Sequence, residues 1–273
     1  MIVGVLGGGQ LARMLALAGH PLGLRFVFLD PAPDACAAAL GEHLRADYVD
    51  PEGLARLADD SDHVTFEFEN VSPASLEWLA RRKVIRPAAA EALAIARDRL
   101  REKTLFTELG VPTPAFAAVD DREGLDRAVA AVGLPAVLKT RTLGYDGKGQ
   151  RVLRAAADVD DAWRELGGVP LVLEAFVGFR REVSIIAARG GAGEVACYPV
   201  TENLHQGGIL RRSIARPGDP LQAQAEGLVR ALLDRLDYVG VLALELFDVD
   251  GTLVANEIAP RVHNSGHWTI EGA

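Results

Sequence analysis

The first third of the chain alternates short apolar runs with amphipathic segments. Apolar strands are predicted at 2–6, 25–29 and 63–66, with one helix from Leu11 to about Gly19 and another from Pro73 to Arg82. Strands that alternate with helices are typical of a parallel sheet covered by helices. The pattern therefore predicts an α/β domain at the N-terminus.

The pattern changes after Pro87. Its periodicity predicts one long helix from Ala88 to about Leu109, and 110–114 predicts a proline-containing linker into an α+β region. That region holds apolar strands that contain Lys139 and Glu174. Its predicted helices span 121–132, 158–166 and 221–238. Two domains are also what a length of 273 residues favours.

Composition limits the class of function. The net charge of −9 argues against a nucleic-acid partner, because binding to a phosphate backbone needs a basic face. Cys36 and Cys197 lie far apart without metal or redox spacing, which indicates free thiols in a reducing compartment. The first ten residues lack a basic segment and a cleavage site, and no apolar run reaches membrane-spanning length. We therefore expect a cytoplasmic protein with no membrane partner.

Two acidic residues lie in apolar strands near the end of the chain. Glu245 interrupts the run from Val241 to Val249, and Glu257 follows Asn256 in the next strand. A buried carboxylate is costly unless it is paired, protonated or bound to a cation, and carboxylates with an amide oxygen are ligands that Mg²⁺ takes beside substrate phosphates. Glu245, Glu257 and Asn256 are thus predicted ligands of Mg²⁺, with Mn²⁺ as an alternative ion. Two solvent-facing acids on an edge hairpin are the competing interpretation.

The turn between these strands decides whether both carboxylates can share an ion. A two-residue Asp250-Gly251 turn would pair Glu245 with Asn256 and turn Glu257 to the opposite face, because side chains alternate along a strand. Shared ligation therefore predicts a three-residue loop with Gly251 in a left-handed bulge, which would bring Glu245 opposite Glu257.

A glycine-rich loop follows the strand that ends at Lys139. Gly144, Gly147 and Gly149 let backbone N–H groups approach an anion, and Lys139 and Lys148 add positive charge. The segment lacks the Gly-Lys-Ser/Thr ending of a Walker-type loop. A phosphate cradle and an ordinary glycine-rich hairpin turn are equally open for this segment taken alone.

A third candidate segment lies further along the chain. Glu174 interrupts an apolar run at 171–177, and Glu182 follows it. Backbone at such a strand end can read a purine edge, while Glu182 accepts hydrogen bonds from ribose hydroxyls. The alternatives are an acid that caps the strand, and a surface pair of Glu182 with Arg180 or Arg181 that contributes about 0–1 kcal/mol.

The first 30 residues indicate a different class of protein. The segment 7–12 fits the dinucleotide fingerprint G-x-G-x-x-A between a strand and a helix, and Asp30 closes the next strand about 20 residues later. A nicotinamide-dependent oxidoreductase would fit this segment alone. Lys139, Glu245 and Glu257, however, have no role in hydride transfer.

Several segments of the chain match sequence motifs of a known family. They are 7–14, 66–71, 94–103, 144–150, 174–177, 202–210 and 256–267, of which Tyr-Asp-Gly-Lys-Gly-Gln at 145–150 and Asn-Glu-Ile-Ala-Pro-Arg-Val-His-Asn-Ser-Gly-His at 256–267 are the most specific. Their order resembles the ATP-grasp superfamily and, within it, the N5-carboxyaminoimidazole ribonucleotide synthetase family. The resemblance covers essentially the whole chain.

The resemblance implies an ATP-grasp fold of α/β and α+β class. It implies an N-terminal Rossmann-like (pre-ATP-grasp) parallel-sheet domain at 1–92 and an ATP-grasp domain at 93–273, with a lid subdomain at about 113–174. Members of the family continue into a further C-terminal domain that supplies basic residues to the ribonucleotide phosphate site. We expect that domain to be absent from this chain and binding of the ribonucleotide to be weaker for that reason. A homodimer is implied as well.

The activity implied by the resemblance is an ATP-dependent ligation in purine biosynthesis. Bicarbonate is phosphorylated to carboxyphosphate, and 5-aminoimidazole ribonucleotide is then carboxylated, giving ADP and phosphate. Another ATP-grasp carboxylate-amine ligase and a nucleotide-binding protein without catalysis are the alternatives.

The resemblance also implies roles for individual residues. ATP is expected to contact Arg99, Lys139, Gly144, Tyr145, Asp146, Gly147, Lys148, Gly149, Gln150, Glu174, Ala175, Phe176, Val177, Glu182, His205, Asn256 and Glu257. Residues expected near the reacting atoms are Arg261, Asp146, Lys148, His263 and Asn264. The ribonucleotide is expected to contact Gln10, Leu11, Glu67 and Tyr145. The competing interpretations are a loop histidine at His263 and an end-of-strand acid at Glu67 that pairs with Arg86 or another local cation.

Overall fold

A parallel sheet, sheet A, forms the N-terminal part of the fold. The structure is a computed structural model that describes residues 1–87, 90–142, 144 and 148–272. The strands of sheet A are β1 (Ile2–Leu6), β2 (Arg25–Leu29), β3 (Glu42–Leu44), β4 (His63–Phe66) and β5 (Val84–Ile85), in the spatial order β3-β2-β1-β4-β5. Helices α1 (Gln10–Gly19), α2 (Pro51–Asp59) and α3 (Pro73–Ala80) connect them. The predicted strands at 2–6, 25–29 and 63–66 are confirmed.

Two helices stand where the sequence pattern predicted one. These are α4 (Ala90–Ala96) and α5 (Arg99–Glu108). The carboxylate of Asp98 accepts hydrogen bonds from the N–H groups of Leu100 and Arg101, so Asp98 caps a new helix and does not continue the old one. The prediction of a continuous helix was wrong, because the spacing of apolar residues does not reveal a capping residue that lies between two helices.

An antiparallel sheet, sheet B, follows the linker. Its strands are β6 (Phe116–Val119), β7 (Ala136–Thr140), β8 (Gln150–Leu153) and β9 (Leu171–Ala175), in the order β6-β9-β7-β8. Helices α6 (Arg122–Val132) and α7 (Val159–Leu166) pack against this sheet around their own apolar cluster. The strand that ends near Lys139 and the strand that contains Glu174 are thereby direct neighbours.

A second antiparallel sheet, sheet C, carries the rest of the chain. Its strands are β10 (Arg181–Arg189), β11 (Val195–Cys197), β12 (Thr201–Gln206), β13 (Ile209–Ala215), β14 (Gly240–Val249) and β15 (Thr252–Ala259). The order is β13-β12-β10-β14-β15, with β11 on β10. Helix α8 (Gln222–Arg235) packs on this sheet, and α9 (Thr269–Gly272) closes the described part of the chain. None of the helices within the described ranges has the length and apolarity needed to cross a membrane.

The largest apolar core joins sheet A to sheet C. Phe66 of β4, Leu93 of α4, Phe106 of α5, Leu232 of α8 and Leu244 of β14 all belong to this one cluster and are fully or almost fully buried. Helices α4 and α5 thus link the parallel sheet to the antiparallel one. This packing fixes Arg99, at the first position of α5, relative to strand β15.

The cap at Asp98 yields the first prediction. We expect Asp98→Ala to lower the free energy of unfolding by about 0.5–2 kcal/mol, because the first turn of α5 loses its acceptor. Asp98→Asn is the matched control, since its amide oxygen can still accept both hydrogen bonds. Urea unfolding of the three proteins makes the comparison, and equal losses in both variants would contradict a capping role.

Candidate active site in a cleft between two sheets

A cleft of about 1050 Å³ opens between sheet B and sheet C. Its apolar lining includes Val137, Val152, Phe176, Phe179, Ile209, Leu210 and Phe247. Its acidic lining consists of Glu69, Glu102, Glu182, Glu245 and Glu257, and its basic lining of Arg97, Arg99, Lys139, Arg211, Arg212 and Arg261. An apolar wall beside closely spaced charges of both signs suits a ligand that joins a flat ring to phosphate groups.

Glu245 and Glu257 face each other across neighbouring strands. The turn is the two-residue Asp250-Gly251 type, with φ of 51° and 84°, so the predicted three-residue loop was wrong. A register shift after Glu245 compensates: Leu246 pairs with Ala255, but Glu245 pairs with Glu257. The extra residue lies within β15, at Asn256, and not in the turn. The predicted pairing of Glu245 with Glu257 is therefore confirmed, but it arises from a bulge in β15 and not from the turn.

The two carboxylates disturb each other's ionisation. Partial desolvation by the surrounding protein and the charge of Glu245 raise the pKa of Glu257 above its usual value. Burial acts in the same direction on Glu245, but the hydrogen bond from His263 and the positive charge around it, including Arg261, outweigh it and hold the pKa of Glu245 below its usual value. Glu257 is exposed to the cleft and Glu245 is partly exposed, so two acids in register there are a suitable site for a divalent cation. Within the described ranges, no group of three or more His, Cys, Asp or Glu side chains could hold a metal ion by itself, so substrate oxygens would complete the ligand set.

Lys103 connects three parts of the cleft. Its side chain is 1% exposed, and its ammonium group lies 3.4 Å from the carboxylate of Glu174. It also donates to the backbone carbonyl of Asn256 at 2.6 Å. Lys139 approaches the same Glu174 oxygen at 3.0 Å. Burial pushes the pKa of Glu174 upward, but the two lysines outweigh it and hold that pKa below its usual value.

Glu102 is a second buried charge-bearing group that the sequence analysis did not single out. It is 2% exposed and accepts a hydrogen bond from the N–H of Ile258 at 2.7 Å. Burial raises the pKa of Glu102 to about 8, and nearby Glu257 adds to this effect while Lys103 opposes it. The only available signal was membership of the 94–103 segment, because charges on every side of α5 give no apolar stripe.

The predicted phosphate-binding cations lie at one end of the cleft. Arg99 donates to the carbonyls of Thr140 at 2.9 Å and Gly144 at 3.4 Å, and so ties α5 to the start of the glycine loop. Lys139 and Gln150 line the cleft beside it. Lys148 and Gly149 precede β8. The predicted residues Tyr145, Asp146 and Gly147 lie outside the described residues.

Glu182 and His205 form a pair on the face of sheet C that lines the cleft. Nδ1 of His205 lies 2.6 Å from the Glu182 carboxylate, and this hydrogen bond raises the pKa of His205 against the opposing effect of burial. Of the two arginines named as alternative partners, Arg181 contacts Asp219 and Asp248, and no ion pair joins Arg180 to Glu182 in the described part of the chain. Glu182 therefore pairs with a histidine and not with either arginine.

The backbone predicted to read a purine runs along the end of β9. The N–H groups of Ala175 and Phe176 donate to the carbonyls of Ala115 and Pro135. These two N–H groups are thus already bound within the protein. The backbone N–H that remains to donate to a purine in this segment is that of Val177. The ring of Phe176 is 47% exposed and lines the cleft.

The remaining catalytic candidates cluster around the end of β15. Arg261 lies 2.5 Å from the carboxylate of Glu69, which follows β4 of sheet A. Nε2 of His263 lies 3.0 Å from Glu245, so His263 is more than a hydrogen-bonded loop residue. Asn264 lines the same region of the cleft.

The substrate candidates of sheet A divide into two groups. Gln10 and Leu11 line the cleft. Glu67 is 7% exposed, and its carboxylate accepts from the N–H groups of Gly9 and Ala12 at the start of α1. The partners of Glu67 are thus backbone amides and not the expected cation at Arg86.

The same glycine segment has no free dinucleotide site. Glu67 occupies the position at the N-terminus of α1 where a pyrophosphate would bind. Asp30, which would hold a ribose in a dinucleotide-binding protein, accepts from the N–H of Gly8 and the hydroxyl of Tyr48. The fingerprint is therefore used to fold the chain, and the oxidoreductase interpretation lacks a site here.

Comparison with known proteins agrees with this geometry. The family model of the ATP-grasp domain matches residues 104–273, and that of the ribonucleotide synthetase preATP-grasp domain matches residues 1–97. The N5-carboxyaminoimidazole ribonucleotide synthase of Pseudomonas aeruginosa is 63% identical over 273 residues, which are 100% of this chain and 76% of that protein. The chain belongs to the N5-carboxyaminoimidazole ribonucleotide synthase family.

Solved structures of this family superpose closely. The N5-carboxyaminoimidazole ribonucleotide synthetase of Thermus thermophilus gives a TM-score of 0.92 at 53% identity, covering 99% of this chain and 74% of that one. The N5-carboxyaminoimidazole synthase of Aspergillus clavatus, in complex with ADP and 5-aminoimidazole ribonucleotide, gives 0.89 at 30% identity, covering 99% and 72%. The chain thus spans about three quarters of the length of these family members.

The buried acid Glu102 yields a prediction about pH. An unfolded glutamate has a pKa of about 4.3, so between that value and about 8 the folded protein binds the extra proton and loses stability as the pH rises. Glu102→Gln cannot lose a proton. We therefore expect the stability of Glu102→Gln relative to the original protein to increase by up to about 1.4 kcal/mol per pH unit across this window.

Urea unfolding of the metal-free proteins at about pH 5.5 and about pH 7.5 provides the measurement. Glu202→Gln, on strand β12 and with a partly exposed side chain, is the control and should show no such trend. A stability difference for Glu102→Gln that stays constant across the window would mean that Glu102 is ionised in the folded protein.

Proposed function

We propose that this chain carboxylates 5-aminoimidazole ribonucleotide with bicarbonate, using ATP and giving N5-carboxyaminoimidazole ribonucleotide, ADP and phosphate. The observation that carries the proposal is the pair Glu245 and Glu257, in register in a cleft whose lining also holds Arg99, Lys139 and Arg261. Positioning phosphates and neutralising their charge is the main task in phosphoryl transfer. Membership of the family supports the same reaction.

The nucleotide is assigned to the sheet B side of the cleft. Arg99 and Lys139 bind its phosphates, together with backbone and side chains of 144–150. The adenine lies against Phe176 and receives a hydrogen bond from the N–H of Val177. Glu182 accepts from the ribose hydroxyls, and His205, its partner, lies against the nucleotide.

Glu245, Glu257 and the side chain of Asn256 are the proposed holders of Mg²⁺, or of Mn²⁺ in its place. The fit rests on two acids in register that repel each other, the pKa of Glu257 being raised and that of Glu245 lowered by their neighbours. A bound divalent ion supplies charge neutralisation at the oxygens of the transferred phosphoryl group. Lys103 stabilises strand β15 at this point by donating a hydrogen bond to the carbonyl of Asn256.

The reaction consists of two substitutions. In the first, a bicarbonate oxygen forms a bond to the terminal phosphorus of ATP, the bond from that phosphorus to the bridging oxygen breaks, and ADP leaves. In the second, the amine of the ribonucleotide attacks the carbon of carboxyphosphate, or CO₂ released from it, and phosphate leaves. Arg261 is placed to stabilise the negative charge of carboxyphosphate once that anion replaces its present partner, Glu69.

The ribonucleotide and bicarbonate are assigned to the side of the cleft near α1. The proposed contacts are Gln10, Leu11, Glu67, Tyr145, Asp146, Lys148, His263 and Asn264. Glu67 acts there by holding the start of α1, which carries Gln10 and Leu11, since its carboxylate binds the amides of Gly9 and Ala12. We further propose a domain boundary near residue 92, a lid subdomain at about 113–174, a homodimer, and a cytoplasmic location, for which the free thiols Cys36 and Cys197 are suited.

Substrate dependence tests the reaction. We expect ADP formation only when 5-aminoimidazole ribonucleotide and bicarbonate are both present, because carboxyphosphate needs bicarbonate and productive turnover needs the amine acceptor. A coupled assay for ADP with each substrate omitted in turn makes the measurement. Full ADP formation with a different amine or carboxylate would favour another ATP-grasp ligase, and ATP binding without any turnover would favour a regulator.

Removing one charge tests the carboxylate pair. We expect Glu257→Gln to lower kcat by at least about 100-fold with the fold intact, because it deletes a proposed metal ligand while changing little volume. Glu202→Gln removes the same charge from sheet C outside the cleft and should keep near-normal turnover. Near-normal turnover of Glu257→Gln at limiting Mg²⁺ would contradict the metal assignment.

A further inference from the structure

A chain of hydrogen bonds runs from the edge of sheet C to the proposed metal site. Its links join the side chains of Ser213 and Asn203 (2.8 Å), Asn203 and Ser184 (3.0 Å), Ser184 and Ser265 (2.8 Å), Ser265 and His263 (2.9 Å), and His263 and Glu245 (3.0 Å). We call these six residues the serine relay. Its three serines and Asn203 have no part in the reaction described above.

The serine relay is shielded from water. Ser184 and Ser265 have no exposed surface, and Asn203 is 7% exposed. Strand register places the relay on one face of sheet C, because Asn203 pairs with Ser213 and Ser184 pairs with Glu245. Burying hydroxyl and amide groups is costly unless each donor has an acceptor. The side chains of the serine relay therefore need one consistent set of proton positions.

The Glu245 carboxylate and the backbone N–H of Ser265 determine the proton positions, because both contact the ring of His263. The carboxylate of Glu245 can only accept, so the ring nitrogen that faces it, Nε2 of His263, must carry the proton. The backbone N–H of Ser265 donates to the other nitrogen, Nδ1, at 3.4 Å, which requires Nδ1 to be an acceptor. The hydroxyl of Ser265 then donates to Nδ1 as well.

In the rest of the serine relay, each hydrogen bond is also donated toward the Glu245 end. Since the proton of Ser265 is committed to His263, its oxygen accepts from the hydroxyl of Ser184. Ser184 in turn accepts from the amide nitrogen of Asn203, whose oxygen accepts from the hydroxyl of Ser213. Each group donates toward Glu245 and accepts from the side of Ser213, so the chain of hydrogen bonds is polarised in one direction.

We propose that Ser265, Ser184, Asn203 and Ser213 are positioning residues that fix His263 with its proton on Nε2, and thereby aim a permanent hydrogen-bond donor at the Glu245 carboxylate. The serine relay in this way orients one of the two carboxylates that face the bound ion. Such outer partners fix the geometry of a metal-binding side chain and matter to metal affinity. The effect on the metal rests on the proposed function, but the tautomer of His263 does not.

The tautomer is tested by long-range ¹H–¹⁵N spectra of the histidine rings at mildly alkaline pH, with and without Mg-ADP. The chain has six histidines, and the spectrum of His263→Gln identifies the resonances of His263. We expect a protonated Nε2 and an unprotonated, hydrogen-bonded Nδ1. A proton on Nδ1, in either the neutral or the charged ring, would reverse the relay and overturn the proposal.

The action on the metal site is tested with Ser265→Ala, which removes the hydroxyl that donates to Nδ1. We expect the Nδ1 resonance of His263 to shift and binding of Mn²⁺ in the presence of ADP, followed by the electron paramagnetic resonance of the free ion, to weaken about tenfold. Ser61→Ala is the matched control: Ser61 is also a buried serine with a hydrogen bond, to the carbonyl of Leu57, and it lies between α2 and β4, away from the relay. It should leave both readouts unchanged.

Thermal unfolding separates positioning from general stability. If Ser265→Ala and Ser61→Ala lose similar stability but only Ser265→Ala weakens Mn²⁺ binding, the positioning role is supported. If Ser265→Ala binds Mn²⁺ as tightly as the original protein, or if both variants weaken binding equally, that role is overturned. Should Ser265→Ala fail to fold, Ser213→Ala at the partly exposed end of the relay provides the same comparison, with an expected loss smaller than that of Ser265→Ala but above that of Ser61→Ala. Should no protein bind Mn²⁺ or turn over, the proposed function fails, while the histidine spectrum still decides the relay.

Discussion

The cleft depends on one electrostatic constraint, which is the placement of two glutamates in register within a mostly buried sheet. Glu245 and Glu257 repel each other and lose part of their solvation in the cleft, which makes the doubly ionised pair unfavourable unless it is compensated. Histidine and arginine side chains around Glu245 hold its pKa below the usual value, while the pKa of Glu257 is raised. A divalent cation bound between the two carboxylates would relieve their repulsion.

The cations that face this pair are themselves held by other acids. Glu174 lies between Lys103 and Lys139, and Lys103 also binds the backbone at Asn256. A lysine that is 1% exposed would be very costly alone, and breaking a buried pair by removing one partner typically costs about 3–5 kcal/mol. Since Glu174 is on β9 and Asn256 on β15, this network connects the strand assigned to adenine with the strand assigned to the metal. Sheet B and sheet C are thus coupled by charge as well as by the helix α5 that supplies Lys103.

The sequence was sufficient for those features that depend on local pattern. The strands 2–6, 25–29 and 63–66 are rich in apolar and β-branched residues and were found at their predicted positions. The short strands β3 and β5 were missed because two or three residues carry no periodicity, and the break at Asp98 was missed because a cap is a single hydrogen-bonding choice. The pairing of Glu245 with Glu257 was anticipated, but the extra residue that allows it was expected in the turn. A bulge inside β15 depends on packing against the rest of the sheet, which no pattern within the hairpin reveals.

Glu67 and Asp30 show why a motif needs its surroundings before it can indicate a function. A glycine-rich turn between a strand and a helix leaves amide N–H groups unsatisfied, and some acceptor has to be provided. In a dinucleotide-binding protein the ligand provides it, whereas here two acids from the same sheet do so. Gly7, with φ of 108°, cannot carry a side chain without meeting Glu67, whose Cγ would lie 2.5 Å from an added Cβ, so the turn and its internal acceptor are adapted to each other. The glycines of this turn therefore serve close backbone packing around carboxylates, and the anion that the protein is proposed to bind is left to the arginine and lysine side chains of the cleft between the other two sheets.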